Sequence, residues 1–398
     1  MKRKNIILRF SLFSLILCLG TAAAMLVGET TGLAMADLSN TSVQALTHAA
    51  SGDTLYAVLA DEQQGIYRSD DNGHSWQKIS SGPAANISAI AVHPANRQII
   101  YAGTTGGNVT SDTSLWYSND KGRSWNRYGF TLPANPQGEL PAVNVLTVDP
   151  NHPGVLYVGT EGQGLYRVQA AGYNRIGNMA LYNLYVKDIV AVPDSPVYAV
   201  TTEGLLAIEG DAWRKIEPLP DGVVSLAVDP SNPDILYMGT VGYGAHRSTD
   251  GGESWQAINN GLGLEPGVIL RVSAVTVDAD NPRHLALATA FSVGSRLSPD
   301  GIYQSFDAGQ SWARVADTRE IVNRLTIKEG GIYAATAKGL VRYGEPLKTT
   351  PPISPVRLRT LVDSPTGIQT SILALTFVLG ALVLVGRVEW LLRRRWVA

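Results

Sequence analysis

Cysteine is almost missing from this chain. The one cysteine, Cys18, sits in an apolar N-terminal segment, so the remainder folds without disulfides and relies on its core. A lipid-anchor reading of Cys18 needs a small residue before it, and Leu17 stands there. Charge is also scarce, at 17% of residues, and unevenly placed. Lys2, Arg3, Lys4 and Arg9 crowd one end, and Arg387, Arg393, Arg394 and Arg395 the other. The stretch between them holds 24 basic residues against 32 acidic ones. An acidic middle argues against nucleic acid and against docking on anionic lipid, because both need Lys/Arg patches. The six histidines show no metal-ligand spacing, and no phosphate-binding Gly-rich loop, nucleophile elbow or zinc motif occurs. No cofactor and no metal are expected.

Long apolar runs occur at the two ends. Residues 1–36 follow the order of a secretory signal: a basic start, apolar Phe10–Val27, and Ala34-Met35-Ala36 before Asp37. The apolar part is long, so an uncleaved signal anchor competes with cleavage. Residues 366–386 contain the uncharged run Ile368–Val385, long enough for a single membrane-spanning helix. A basic tail, 387–398, follows it, with Trp390 and Trp396 as interfacial anchors. Basic residues stay on the cytoplasmic side, which predicts a single-pass protein of the cell membrane with its globular part, 37–345, extracytoplasmic. Residues 346–365 are Pro-rich and read as a stiff stalk.

Within 37–345 one pattern recurs: an apolar strand, a turn, a Leu-Tyr-x-Gly-Thr strand, a Gly-Ile-Tyr-x-Ser strand, a tight turn and a Ser-Trp strand. The second strand appears at Leu55-Tyr56, Ile100-Tyr101, Leu156-Tyr157, Val197-Tyr198, Leu236-Tyr237, Leu285-Ala286 and Ile332-Tyr333. Four short strands per unit of about 40–50 residues is the period of a β-propeller. The fold expected is therefore all-β and seven-bladed. Asp-Pro turns such as Asp149-Pro150 and Asp229-Pro230 join the first two strands of a unit, and His93 reads as a turn variant rather than a ligand. The last copy stops after Tyr343 without a fourth strand, and the chain around Leu38–Val43 is placed to supply it.

Four copies carry Ser-x-Asp-x-Gly-x-Ser-Trp in full. They are Ser69, Asp71, Gly73 and Trp76; Ser118, Asp120, Gly122 and Trp125; Ser248, Asp250, Gly252 and Trp255; and Ser305, Asp307, Gly309 and Trp312. This motif resembles the Asp-box, or BNR, repeat of sialidases, sortilin-type receptors and the photosystem II assembly factor family. The resemblance implies a turn between the third and fourth strands of a blade, away from any active centre. The chemistry agrees: Gly takes positive φ, Asp accepts backbone N–H bonds, and Trp covers apolar surface. Each box has too few oxygens for a calcium loop of the EF-hand type, so the boxes read as structural.

Sialidases resemble one another in an Arg-Ile-Pro motif, and this chain lacks it; Arg175-Ile176-Gly177 is the nearest string. The expectation is thus a non-enzymatic scaffold for protein interaction or assembly. The runner-up is an extracytoplasmic glycoside hydrolase or a sialidase-like glycan-binding protein. The loops Thr104–Ser114, Phe130–Pro141, Asn259–Gly267 and Ala290–Asp300 are long and fall on one face, where a protein or glycan partner is expected. The contacts proposed there are Asp112, Glu161, Tyr243 and Arg296.

Overall fold

A computed structural model describes residues 38–343, apart from the segments 39–40, 49–53, 61–63, 81, 84–85, 106–113, 178–182, 218–221, 264–268 and 294–295. The two terminal apolar segments, the Pro-rich stretch and the basic tail lie outside the described residues. No helix among the described residues is long and apolar enough to cross a membrane.

The repeat folds as a seven-bladed β-propeller of antiparallel sheets. Blade 1 takes Val43–His48, Leu55–Leu59, Gly65–Ser69 and Gln77–Ser80, and blade 2 takes Ile87–Val92, Ile100–Thr104, Leu115–Ser118 and Asn126–Arg127. Blade 3 takes Val143–Val148, Leu156–Thr160, Leu165–Gln169 and Gly172–Ile176, and blade 4 takes Val186–Val190, Val197–Thr201, Gly204–Glu209 and Ala212–Ile216. Blade 5 takes Val223–Val228, Leu236–Thr240, Ala245–Ser248 and Gln256–Ala257, and blade 6 takes Ile269–Val277, Leu285–Val293, Arg296–Ser305 and Ala313–Asp317. Blade 7 has three strands, Val322–Lys328, Gly331–Thr336 and Gly339–Tyr343.

Apolar runs mark the second strands because each lies between two other strands and between two other blades. Leu55–Leu59, Leu156–Thr160, Val197–Thr201 and Leu236–Thr240 are buried along their whole length. The core is accordingly divided into inter-blade clusters. Ile66 and Ile87 pack blade 1 on blade 2, and Leu146 and Tyr166 join blades 2 and 3 to one another's cluster with Leu115. The series continues around the ring and closes where Val43 and Leu55 meet Tyr333 and Ala335. The glycine of Leu-Tyr-x-Gly-Thr belongs to this packing. A Cβ on Gly159 would come within 2.6 Å of both Val145 and Val186, so the next blade's inner strand rests on bare backbone.

The ring closes in part as the sequence expects, through Leu38 but not through Val43. Val43 opens the first strand of blade 1 rather than serving blade 7. Buried Leu38 supplies the contact: its carbonyl accepts a 3.3 Å bond from the Leu340 amide at the edge of blade 7. Tyr333 adds a hydroxyl bond to the Asn72 carbonyl, from blade 7 to blade 1.

Every first strand carries a register shift near its start. Such a bulge re-aims one side chain. In blades 3 and 4 that side chain reaches the neighbouring blade: Asn144 Nδ2 donates to the Val186 carbonyl at 2.7 Å, and Lys187 Nζ to the Val223 carbonyl at 3.2 Å. Deeper in the bore, Arg324 of blade 7 meets Asp188 of blade 4 at 2.9 Å. These inner strands sit as far apart as a seven-membered ring permits, so the ion pair crosses the central channel.

Candidate functional site

The two rims of the propeller differ in what they hold. On one rim the Asp-box turns bond to the first-to-second-strand turns of their own blades, as Gly251 N–H does to the Asp234 carbonyl at 3.0 Å and Lys121 N–H to the Gln98 carbonyl at 2.9 Å. Each box is closed on itself. In blade 5 the Ser248 hydroxyl donates to Asp250 at 2.7 Å, the Gly252 amide donates to Ser248 at 2.9 Å, and the Ser254 amide donates to Asp250 at 2.9 Å. Ser118–Asp120 and Ser305–Asp307 repeat the serine–aspartate bond at 2.7 Å, and so does Ser69–Asp71. Serine donors hold Asp120, Asp250 and Asp307 at a pKa of about 2. At Asp71 burial pushes the pKa up, but bonds from Ser75 and Ser69 outweigh it and the net shift is downward. Gly73, Gly122, Gly252 and Gly309 all take positive φ, between 77° and 92°. The tryptophans tie the turns in two ways: Trp76 and Trp255 donate to their own box glycine, while Trp125 and Trp312 donate to Ser80 and Ile258 of the preceding blade. His93 accepts the amides of Ala95 and Asn96, the task Asp149 performs for Asn151 in blade 3.

The opposite rim carries a pocket of about 450 Å³ between the loops of blades 2, 3 and 4. Its polar lining is Asn135, Gln137, Glu139, Glu161, Gln163 and Asn183, with Pro136 and Leu140 beside them. Both loops that supply glutamates are locally fixed. The Asn135 amide group donates to Glu139 at 2.9 Å, while its side-chain oxygen accepts the Gln137 and Glu139 amides at 3.0 and 2.9 Å. Glu161 follows Thr160, whose hydroxyl donates to the Gly164 carbonyl at 2.7 Å and accepts the Gln163 amide at 3.1 Å. The Glu161 amide then donates to the Ala142 carbonyl at 2.9 Å, which joins the two loops. Tyr185 places its hydroxyl 3.5 Å from Glu161, and burial together with that carboxylate raises the phenol's pKa. Two carboxyl groups among amide side chains give proton donors and acceptors suited to hydroxyl-rich ligands. Among the described residues no group of three or more His, Cys, Asp or Glu is placed to hold a metal ion.

The four contacts proposed from sequence do not converge. Glu161 lines the pocket. Tyr243 stands 56% exposed in blade 5, beside Leu270 of blade 6. Arg296 is exposed at the start of the third strand of blade 6. The stretch Ala290–Asp300, expected as a loop, is largely strand: Ala290 pairs with Pro299, and Ser292 with Leu297, so blade 6 extends as a hairpin. Asp112 lies outside the described residues. Glu139 was missed, although it is the one charged residue in the long loop Phe130–Pro141.

Comparison with known proteins bears on this rim. The Sortilin-Vps10 family model (sortilin, neurotensin receptor 3) matches residues 64–173. A xyloglucanase of Hypocrea jecorina is 26% identical over 216 residues, covering 49% of this chain and 23% of that enzyme. The chain thus spans less than a quarter of that relative's length. Among solved structures, the GH74 xyloglucanase of Xanthomonas campestris is 18% identical with a TM-score of 0.56, covering 78% of this chain and 53% of the other. YCF48 bound to a D1 peptide is 14% identical with a TM-score of 0.55, covering 79% of this chain and 100% of the other. At these identities the solved structures speak to the fold.

The resemblance to Asp-box propellers therefore stands, and the expectation of a non-enzymatic scaffold does not. The curated relatives are glycoside hydrolases, and they support the runner-up reading over the first. The absence of the sialidase Arg-Ile-Pro motif bears on sialidases alone and leaves other glycoside hydrolases open.

Proposed function

We propose that this seven-bladed Asp-box propeller is a glycoside hydrolase acting on a β-glucan of the xyloglucan kind. The observation that carries the proposal is the shared pocket of Glu139 and Glu161, flanked by Asn and Gln amides. Glycoside hydrolysis needs one carboxylic acid to protonate the leaving oxygen. A second carboxylate activates water or attacks the sugar carbon. We assign proton donation to Glu161, beside the Tyr185 hydroxyl, and the second role to Glu139, which Asn135 fixes by an amide donor. Gln137, Gln163 and Asn183 are placed to bind sugar hydroxyls. The xyloglucanase relatives supply the substrate class. The signal-like N-terminus and the C-terminal apolar run support work on an extracytoplasmic polymer from the cell surface.

The test is product analysis. The purified chain is incubated with xyloglucan, cellulose and a mixed-linkage β-glucan, and the oligosaccharides released are identified by mass spectrometry. Defined fragments from xyloglucan support the proposal. Intact polymer in all three incubations, with a properly folded protein, sinks it.

A further inference from the structure

Two cations on the same rim have no role in the pocket. Lys187 is the bulged residue of the first strand of blade 4, and Arg271 stands in the first strand of blade 6. Both inner strands border the central channel, with blade 5 between them. Lys187 Nζ spans to the first residue of blade 5, the Val223 carbonyl, at 3.2 Å. Arg271 Nε is buried without a hydrogen-bond partner. Burial lowers the pKa of both groups, and the Arg271 charge lowers that of Lys187 further. Asp188 is the carboxylate next in sequence, and Arg324 already occupies it at 2.9 Å. Among the described residues, neither Lys187 nor Arg271 has an ion-pair partner. The Arg271 charge acts on Lys187 across the channel mouth, and an anion between two such partly desolvated like charges reverses the sign of that interaction. A guanidinium beside an ammonium offers several donors to one carboxylate, in a charge-assisted geometry. Exposed Tyr243 stands on the Arg271 side of this place. It pairs with Leu270, the residue before Arg271, and its ring provides a flat face of the kind that sugars stack on.

We propose that Lys187 and Arg271 bind the carboxylate of an acidic sugar residue at the mouth of the central channel, with Tyr243 as the stacking surface beside it. The proposal rests on the glycan reading and adds to it a second binding site, one that takes a uronic acid residue. The site is separate from the Glu139–Glu161 pocket, so the two readings fail separately.

The experiment is calorimetric titration of the full chain with two size-matched oligosaccharides, one bearing a glucuronate residue and one neutral, at low and at high salt. Wild type, Lys187→Gln, Arg271→Gln and Tyr243→Ala are compared, and xyloglucan cleavage is followed in parallel. A peptide with a free C-terminal carboxylate serves as a third probe. The expected result is preference for the acidic oligosaccharide, weakened by salt and reduced about tenfold to a hundredfold in Lys187→Gln and Arg271→Gln. Cleavage of neutral xyloglucan is unchanged in both variants. Equal binding of the two sugars, or an acidic preference that survives both substitutions, overturns the proposal. Tighter binding of the peptide than of the acidic sugar also overturns it. Loss of xyloglucan cleavage by wild type, with the acidic preference kept, would instead sink the hydrolase reading alone. Lys187→Arg serves as the conservative variant: it keeps the charge and retains the acidic preference if charge, and not the bond to Val223, is what matters.

Discussion

Glu139, in the loop joining blades 2 and 3, lines the same pocket as Glu161, in the second-to-third-strand turn of blade 3. The loops are joined through the Glu161 amide and the Ala142 carbonyl, so the propeller scaffold sets the relation between the two acids. Glu139→Gln and Glu161→Gln are each expected to lower kcat by about a hundredfold or more, with KM within a few-fold of wild type. Steady-state kinetics on a xyloglucan oligosaccharide checks this. Both substitutions replace exposed loop carboxyls, and the urea midpoint should not move.

Asn135 makes three side-chain bonds within one short turn, two to Glu139 and one to the Gln137 amide. Asn135→Ala removes the side-chain donor and the acceptor of two amides, so Glu139 becomes free to wander. The expected loss in kcat is about tenfold, smaller than for removal of the acid itself. Asn135→Asp restores the acceptor but not the donor. It should recover folding stability without recovering the rate, a split that a purely structural role would not produce.

Gly159 lies under the inner strand of the next blade. Gly159→Ala forces a methyl group against Val145 and Val186, which must shift together with the blade 3 to blade 4 contact. Overpacking of this kind costs about 1–3 kcal/mol. Gly162, in the adjoining turn, has open space around it but a φ of 79°. Gly162→Ala should therefore cost backbone strain and no packing. Chemical denaturation of both variants separates the two causes.

The Asp-boxes predict an acid limb in stability. Asp120, Asp250 and Asp307 have a pKa of about 2 in the folded chain, below the ordinary value of 3.8. The unfolded chain then binds more protons than the folded one between these values. The stabilisation is therefore fully present above about pH 4 and is lost as pH falls towards about 2. Replacing the three aspartates by Asn should flatten the dependence of the urea midpoint on pH in that window. The midpoint at neutral pH should fall as well, because the amide keeps only part of the bonds to the box serines.

The sequence carried the blades more plainly than the site. The Leu-Tyr strands are read directly, because burial on both faces demands an apolar run and seven copies keep time. Register bulges left no clear mark: Ser88 and Asn144 look like ordinary alternation, and only Lys187, with Asp188 beside it, breaks the period of two. The cross-channel pair Asp188–Arg324 joins residues that only ring closure brings together. Glu161 was found because it follows a repeated Thr at a loop start, and Glu139 was passed over because its loop has no motif of its own. Arg296 and Tyr243 were chosen by the same loop logic, yet the hairpin of blade 6 and the edge of blade 5 carry them away from the pocket. A pocket lined by loops from three neighbouring blades leaves no local spacing to read.

The most direct test of the central claim is the release of new reducing ends from xyloglucan by the wild-type chain beside a Glu139→Gln, Glu161→Gln double variant. The account predicts steady release by the wild type and none above background by the folded double variant. Release by the double variant at the wild-type rate, or no release by the wild type, would contradict it.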